Sequence, residues 1–195
     1  MKAGSKDQAD QAETTGVPLP HLSDQVAVSA ALDKQLDGSA LWVLLSMYRA
    51  FAVLDRDQID EVGAMGMSPL QLNILTTLQR AKQPTTMGAL ASMLVVKPNN
   101  LSGNINTLVE RGFVRRELNV SDQRSLLAVL TPEGKDFLEE HLPQHWRRLE
   151  RLMGDLSREQ RLQLVALLKQ MVLSISAEQE KEKAAVRTEK RVKST

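Results

Sequence analysis

Hydrophobic positions fall into helical stripes over most of the chain. From about Ala40 to Val62, the residues Leu41, Leu44, Leu45, Tyr48, Phe51, Ala52 and Leu54 recur at the spacing of one helix face. Ser68-Pro69-Leu70-Gln71 is a strong start signal for the next helix: serine caps, proline occupies the first helical position, and glutamine reaches back from the third. That helix is expected to run to about Ala81. Before the long helix, Ser23 is placed to cap a short one through Leu36, with Asp37-Gly38-Ser39 as punctuation. Gln83-Pro84-Thr85-Thr86 reads as a connector, and Thr86 caps a short helix through Leu94. Lys97-Pro98 opens another helix, which Gly112 stops. Thr131-Pro132 begins a helix with Phe137, Leu138, Leu142, Trp146, Leu149 and Met153 on one face. Ser157-Arg158-Glu159-Gln160 is a second capping box, ahead of a helix carrying Leu164, Val165, Leu168, Met171, Val172 and Ile175.

The pattern switches between Gly112 and Thr131. Phe113 to Glu117 and Ser125 to Leu130 read as two strands of a hairpin, joined by a charged loop with Asp122-Gln123-Arg124. Helix, hairpin and helix in this order is the pattern of a winged helix, a module that often binds DNA. The ends of the chain differ from its middle. Residues 1–20 are rich in Ala, Gln, Asp and Thr without an aromatic, which predicts a mobile tail. From Ser176 onward the sequence is charged and loses its apolar period.

Composition narrows the function classes. The 195 residues suffice for one domain with tails; 42% are hydrophobic but only 3% aromatic, which suits Leu/Val/Ala helix packing. The formal net charge of +1 says nothing for or against nucleic acid, so any basic surface is local. The absence of cysteine excludes disulfides, thiolate catalysis, thiolate zinc sites and thiol redox sensing. No signal-peptide core and no apolar run of membrane-spanning length occur, so a cytoplasmic protein is expected. There is no phosphate-cradling glycine loop and no Gly-x-Ser-x-Gly elbow, so neither an enzyme nor a cofactor is expected.

The helix from Lys97 carries the candidate chemistry. Leu101, Ile105 and Leu108 form one stripe, which faces a core. At 3.6 residues per turn, Asn99, Ser102, Gly103 and Asn106 fall on the opposite face, flanked by Asn100 and Thr107. Asparagine offers a paired donor and acceptor that matches adenine N6 and N7 in the major groove. A solvated helix face has the same polarity. Asparagine is a mediocre helix former, however, so Asn99, Asn100, Asn104 and Asn106 in one helix call for a reason. Arg115, Arg116 and Arg124 cluster on the hairpin, where an arginine suits a narrow minor groove and Asp122 is placed to orient Arg124.

From Met67 to Met171 the chain resembles the MarR family of winged helix-turn-helix transcriptional regulators. The matching segments are Gly66-Met67-Ser68-Pro69-Leu70-Gln71, Leu90-Ala91-Ser92-Met93-Leu94 and Leu108-Val109-Glu110-Arg111-Gly112-Phe113-Val114-Arg115-Arg116. They continue with Ser121-Asp122-Gln123-Arg124-Ser125 at the wing, Leu130-Thr131-Pro132-Glu133-Gly134 after it, and Leu156-Ser157. The Asp-x-Arg wing followed by Leu-Thr-x-x-Gly is the specific part.

The resemblance implies a mainly α fold: a winged helix-turn-helix with a small β-hairpin wing, flanked by long dimerisation helices. Its domains would be a tail over residues 1–22, N-terminal dimerisation helices over 23–64, a DNA-binding lobe over 65–131, C-terminal dimerisation helices over 132–176 and a charged tail over 177–195. It implies a homodimeric, sequence-specific regulator, a repressor in this reading, on a roughly palindromic operator with half-sites about one helical turn apart. The expected DNA contacts are Lys97, Asn99, Asn100, Ser102 and Asn106 on the recognition helix, with Arg115, Arg116, Asp122 and Arg124 on the wing. Gly103 departs from the family, where a larger and often basic residue is common. That departure favours the asparagines as base readers.

Many relatives respond to a small aromatic or phenolic effector bound between the dimer helices and the DNA-binding lobe, which shifts the population of states. Trp42, Tyr48, Phe51, Met65, Met87 and Trp146 are the candidates for such a site, although aromatic and Met residues at helical spacing also serve as plain core. His141 and His145 form an i, i+4 pair beside Glu140, as in the zinc-sensing branch of the family. Pro143 lies between them, and the only other histidine is His21, so no metal site is expected. The alternative to DNA binding is a winged-helix protein–protein interaction module, which the nearly neutral recognition face and Gly103 favour.

Overall fold

A computed structural model describes residues 22–122 and 125–193. The expected N-terminal tail, His21 and Arg124 lie outside the described residues, as does the very end of the charged tail. The chain divides into two compact units, one up to Leu130 and the other from Thr131.

In the first unit, helix α1 spans Leu22–Leu32. It stops short of Leu36 because the Asp33 carboxylate takes the Gln35 N–H at 2.9 Å, while the Leu36 N–H turns back to the Asp33 carbonyl. Helix α2 spans Gly38–Ala64, a little beyond the expected limits at both ends. Asp37 caps it by accepting the Ser39 N–H at 2.9 Å and the Ser39 hydroxyl at 2.7 Å. The hydroxyl bond first, and the N–H bond second, hold the Asp37 carboxyl below its ordinary pKa. Gly66, at φ +71°, turns the chain out of α2, a conformation in which only glycine is unstrained.

Helix α3 spans Pro69–Ala81 and starts with the complete capping box: Gln71 N–H to Ser68 Oγ at 3.2 Å, and Ser68 N–H to Gln71 Oε1 at 2.9 Å. Strand β1, Thr85–Thr86, leads into α4, Met87–Leu94, which Thr86 caps through the Ala89 N–H at 3.2 Å. Helix α5 spans Pro98–Glu110. Behind it Gly112, at φ +77°, hands the Phe113 N–H back to the Leu108 carbonyl and so closes the helix. Strands β2, Val114–Leu118, and β3, Leu126–Leu130, form the hairpin. The sheet order is β1-β3-β2, antiparallel throughout, with Thr85 opposite Ala128 and Arg116 opposite the same Ala128 from the other side. The short β1 was expected to be connector only; two residues carry no alternation, and its pairing with β3 alone makes it a strand.

The core of this unit is helix α3 packed on α4, α5 and β3, with β2 against α5. Leu72, Ile74, Leu75 and Leu78 of α3 meet Leu90, Leu101, Ile105, Leu108, Val114 and Ala128, all buried. Stripes at helical spacing thus close on a small sheet, which is the winged-helix arrangement.

In the second unit, α6 spans Pro132–Leu152 and runs through Pro143 without a break. Thr131 caps it at the Gly134 N–H, 3.0 Å away. The buried stripe is Gly134, Leu138, Leu142 and His145. The expected face is therefore displaced: Trp146 and Met153 are exposed, and His145 takes the inward place. Helix α7 begins at the predicted capping box, with Ser157 N–H to Gln160 Oε1 at 2.8 Å and Gln160 N–H to Ser157 Oγ at 3.2 Å. It spans Arg158–Lys193, so the segment expected to be a charged tail continues the helix. Ala, Glu, Lys and Arg are good helix formers, and the pairs Lys181–Glu178 and Lys183–Glu180 support it at i, i+3. Among the described residues, no helix is long and apolar enough to cross a membrane.

Candidate nucleic-acid interface

Helix α5 divides as its sequence period requires. Leu101, Ile105 and Leu108 are fully buried, while Lys97, Asn99, Asn100, Ser102, Gly103 and Asn106 are exposed. The start of α5 has no side-chain cap at Lys97; Pro98 has no N–H and the Asn100 N–H bonds the Lys97 carbonyl at 2.9 Å, which leaves Asn99 as the first-turn N–H without a side-chain cap. A Cβ added at Gly103 would meet nothing within 4 Å, so packing inside the protein does not call for a glycine there.

The four asparagines have different employment. Asn104 is half-buried; its Nδ2 donates to the Asn100 carbonyl at 2.8 Å and its Oδ1 accepts from the Ser68 hydroxyl at 3.4 Å. It ties α5 to the start of α3. The Thr107 hydroxyl turns back to the Gly103 carbonyl at 3.2 Å. Asn99 and Asn100 stand in the open first turn, while Asn106 accepts a hydrogen bond from the Arg116 guanidinium.

The two hairpin arginines are separated by strand alternation. Arg116 shares a face with Val114 and reaches α5, whereas Arg115 is on the other face and pairs with Glu117. Both partners of that ion pair are solvent-exposed enough that it adds little stability. The hairpin tip is organised by its own side chains. Asn119 Oδ1 accepts the Ser121 N–H at 3.0 Å, and Asn119 Nδ2 donates to Ser125 Oγ at 2.8 Å. The Asp122 carbonyl accepts the Ser125 N–H at 2.9 Å and its hydroxyl at 3.1 Å. Arg124 lies outside the described residues, so its expected pairing with Asp122 does too. Leu118 and Val120, near the tip, are strongly exposed.

Two positioning contacts went unread in the sequence. Arg111 donates to the Gly66 carbonyl at 2.6 Å and covers the Phe113 ring at 4.8 Å, which joins the end of α5 to the turn after α2. Ser68 serves as both the α3 cap and the Asn104 partner. Their signals were present, in the Glu-Arg-Gly-Phe run and the capping box, but the partners are distant in sequence. At the turn before α5, Val95 holds φ +55° and is almost fully exposed, an unusual placement for a β-branched residue.

The remaining candidates are dispersed. Tyr48 and Phe51 are exposed, three residues apart on one side of α2, while Trp42 is nine residues before Phe51 and so on the opposite side. Met65 and Met87 are half-buried, and Trp146 is exposed on α6. The His141 ring stacks on Phe137 at 4.2 Å, with Nδ1 3.0 Å from the Phe137 carbonyl, and His145 is buried. Among the described residues, no group of three or more potential ligands could hold a metal ion.

Comparison with known proteins locates the same lobe. The MarR family model matches residues 65–125. The uncharacterized HTH-type transcriptional regulator YkoM of Bacillus subtilis is 31% identical over 121 residues, which cover 62% of this chain and 78% of that protein. The HTH-type transcriptional repressor YetL of Bacillus subtilis is 28% identical over 137 residues, covering 68% and 80%. Among solved structures, Sco3205, a MarR family transcriptional regulator from Streptomyces coelicolor in complex with DNA, aligns with a TM-score of 0.61 at 26% identity, over 69% of this chain and 86% of that one.

Proposed function

The chain belongs to the MarR family of transcriptional regulators, and on that premise we propose that it is a homodimeric repressor that binds a roughly palindromic DNA operator. The carrying observation is the division of α5: an apolar stripe fully used by the core, and an exposed polar stripe of Asn99, Ser102 and Asn106 outside it. Two such helices, related by a dimer axis, enter successive major grooves. Lys97 and the uncapped start of α5 meet phosphate, and Arg124 on the wing meets the minor groove. The Sco3205 complex with DNA and the repressor YetL support the reading by likeness.

The second copy covers the apolar helix faces. Leu164, Val165, Leu168, Val172 and Ile175 of α7 are all exposed, as are Val43, Leu44 and Val53 of α2, and patches of this kind mark interfaces. An aromatic or phenolic effector is proposed to engage Tyr48 and Phe51, which are exposed three residues apart on one side of α2.

Selection from a random duplex pool tests the proposal. A palindromic consensus is expected, with affinity that falls steeply with salt through counterion release. Arg124→Ala should weaken all sequences alike and reduce the salt slope by about 1. Recovery of no consensus, with or without phenolic compounds, would leave the protein-interaction module, which the exposed Leu118 and Val120 of the wing favour.

A further inference from the structure

We infer that Arg111 and Asn104 clamp the recognition helix to the turn that closes α2, and that this clamp sets the spacing of the two half-sites without reading their sequence. The inference rests on the proposed reading of a dimer on DNA, with α2 in the dimer interface. The turn belongs to α2. The Met65, Gly66 and Met67 N–H groups return to the Val62, Gly63 and Val62 carbonyls at 3.0, 2.9 and 3.2 Å, and Val62 and Met67 are buried. The Gly66 carbonyl accepts from Arg111 Nη1 at 2.6 Å. A Cβ added at Gly66 would stand 3.7 Å from Arg111 Nη2, so both ends of the guanidinium lie against the turn. The Phe113 ring, 4.8 Å from the guanidinium carbon, supports it from another side. A charge-assisted bond of this kind is among the stronger side-chain contacts.

Asn104 supplies the second point. Its Oδ1 accepts the Ser68 hydroxyl at 3.4 Å, two residues further along the same stretch of chain. Asn104 and Arg111 are two helical turns apart in sequence, so they lie on one side of α5, about 10 Å apart along its axis. One tie fixes a distance; two ties along one side also fix a direction. Asn99, Ser102 and Asn106 lie about 140–160° round the helix from Asn104, so the clamp is behind the exposed polar stripe. In a two-fold dimer, the separation of the recognition helices follows from how each is set against the helices at the axis, and half-site spacing follows from that separation. Arg111 and Asn104 are thus positioning residues. The competing explanation is that they only add stability to the lobe. It predicts a lower thermal midpoint and binding weakened in the same proportion at every spacing.

Affinity is measured for duplexes that keep the selected half-sites while their separation is varied by about two base pairs either way. The wild type should prefer one separation. Arg111→Met, which keeps the aliphatic stem and removes the donors, should reduce that preference about fivefold. Its affinity for an isolated half-site, and the bases selected there, should stay as in the wild type. Arg111→Lys, which still donates, should retain most of the preference. Asn104→Ala breaks the second tie and should also reduce it. Ile74→Val, a truncation at a fully buried site elsewhere in the lobe, should lower the thermal midpoint and leave the spacing preference intact. The inference is overturned by an unchanged spacing profile in Arg111→Met or, where that variant does not fold, in Asn104→Ala. Altered half-site bases in Arg111→Met, equal broadening in Ile74→Val, or a wild type indifferent to separation would overturn it as well. A wild type that selects no consensus, or that sediments as a monomer on and off DNA, would overturn the dimeric DNA-binding reading itself, before any variant is compared.

Discussion

Helices α5 and α7 have comparable apolar content and opposite fates. In α5, thirteen residues long, Leu101, Ile105 and Leu108 are all fully buried. In α7, thirty-six residues long, no residue from Arg158 to Arg187 is buried, although Leu162, Leu164, Val165, Leu167, Leu168, Val172, Leu173 and Ile175 crowd its first half. A narrow stripe closes on a core built within one chain. Apolar residues spread round most of a helix cannot all face one neighbour, and so require a further surface. The first helix has its apolar stripe fully used by the core and its polar face exposed. The second leaves its apolar residues exposed, and the proposed dimer would cover them.

The largest effect should come from charging α7. Leu168→Glu combined with Val172→Glu should raise the dimer dissociation constant by more than about a hundredfold, because buried unpaired carboxylates cost more than the apolar contacts they replace. Sedimentation equilibrium would show a monomer; an unchanged dimer mass would remove α7 from the interface. Next, Ile105→Ala should cost about 2–5 kcal/mol of folding stability in urea, as a cavity at a fully buried site. Leu173→Ala, 71% exposed, should act through association alone, and an equal loss of folding stability at both sites would erase the contrast between the two helices.

Gly103→Ala is a smaller and opposite effect. A Cβ there has open space, so the variant should gain about 0.5–1 kcal/mol in stability. Its DNA affinity should fall if the glycine admits a close backbone approach to the groove. A loss of stability would return Gly103 to the fold. The smallest effect concerns the start of α2. The Asp37 carboxyl has its pKa lowered in the folded state, so its contribution is present above the ordinary carboxylate pKa of about 3.9 and is lost as pH falls through the lowered value. Thermal midpoints from neutral to acid pH should show a shallow decline that Asp37→Asn, which keeps a capping oxygen, removes.

Ser68, Thr86, Thr131 and Ser157 were legible as helix starts because a cap is a local event, a side chain bonding an N–H three residues ahead. Gly112 was legible for the same reason, since the left-handed turn is a property of one residue. Trp146 is exposed while its neighbour His145 is buried, because the stripe Gly134, Leu138, Leu142 continues at helical spacing to the histidine. Thr85–Thr86 was missed because a strand of two residues exists only through its partner.

The sequence by itself determined where the helices of the lobe begin, which face of α5 is polar, and that a wing follows it. Those follow from backbone caps and from 3.6 residues per turn, which need no knowledge of distant residues. Only the tertiary structure decided what the polar residues do. Asn104 answers to Ser68 across 36 residues, Arg111 to Gly66 across 45, and Asn106 to Arg116 across 10. Which partner a polar side chain meets depends on how strands and helices fold back on one another, and no local rule of the chain contains that.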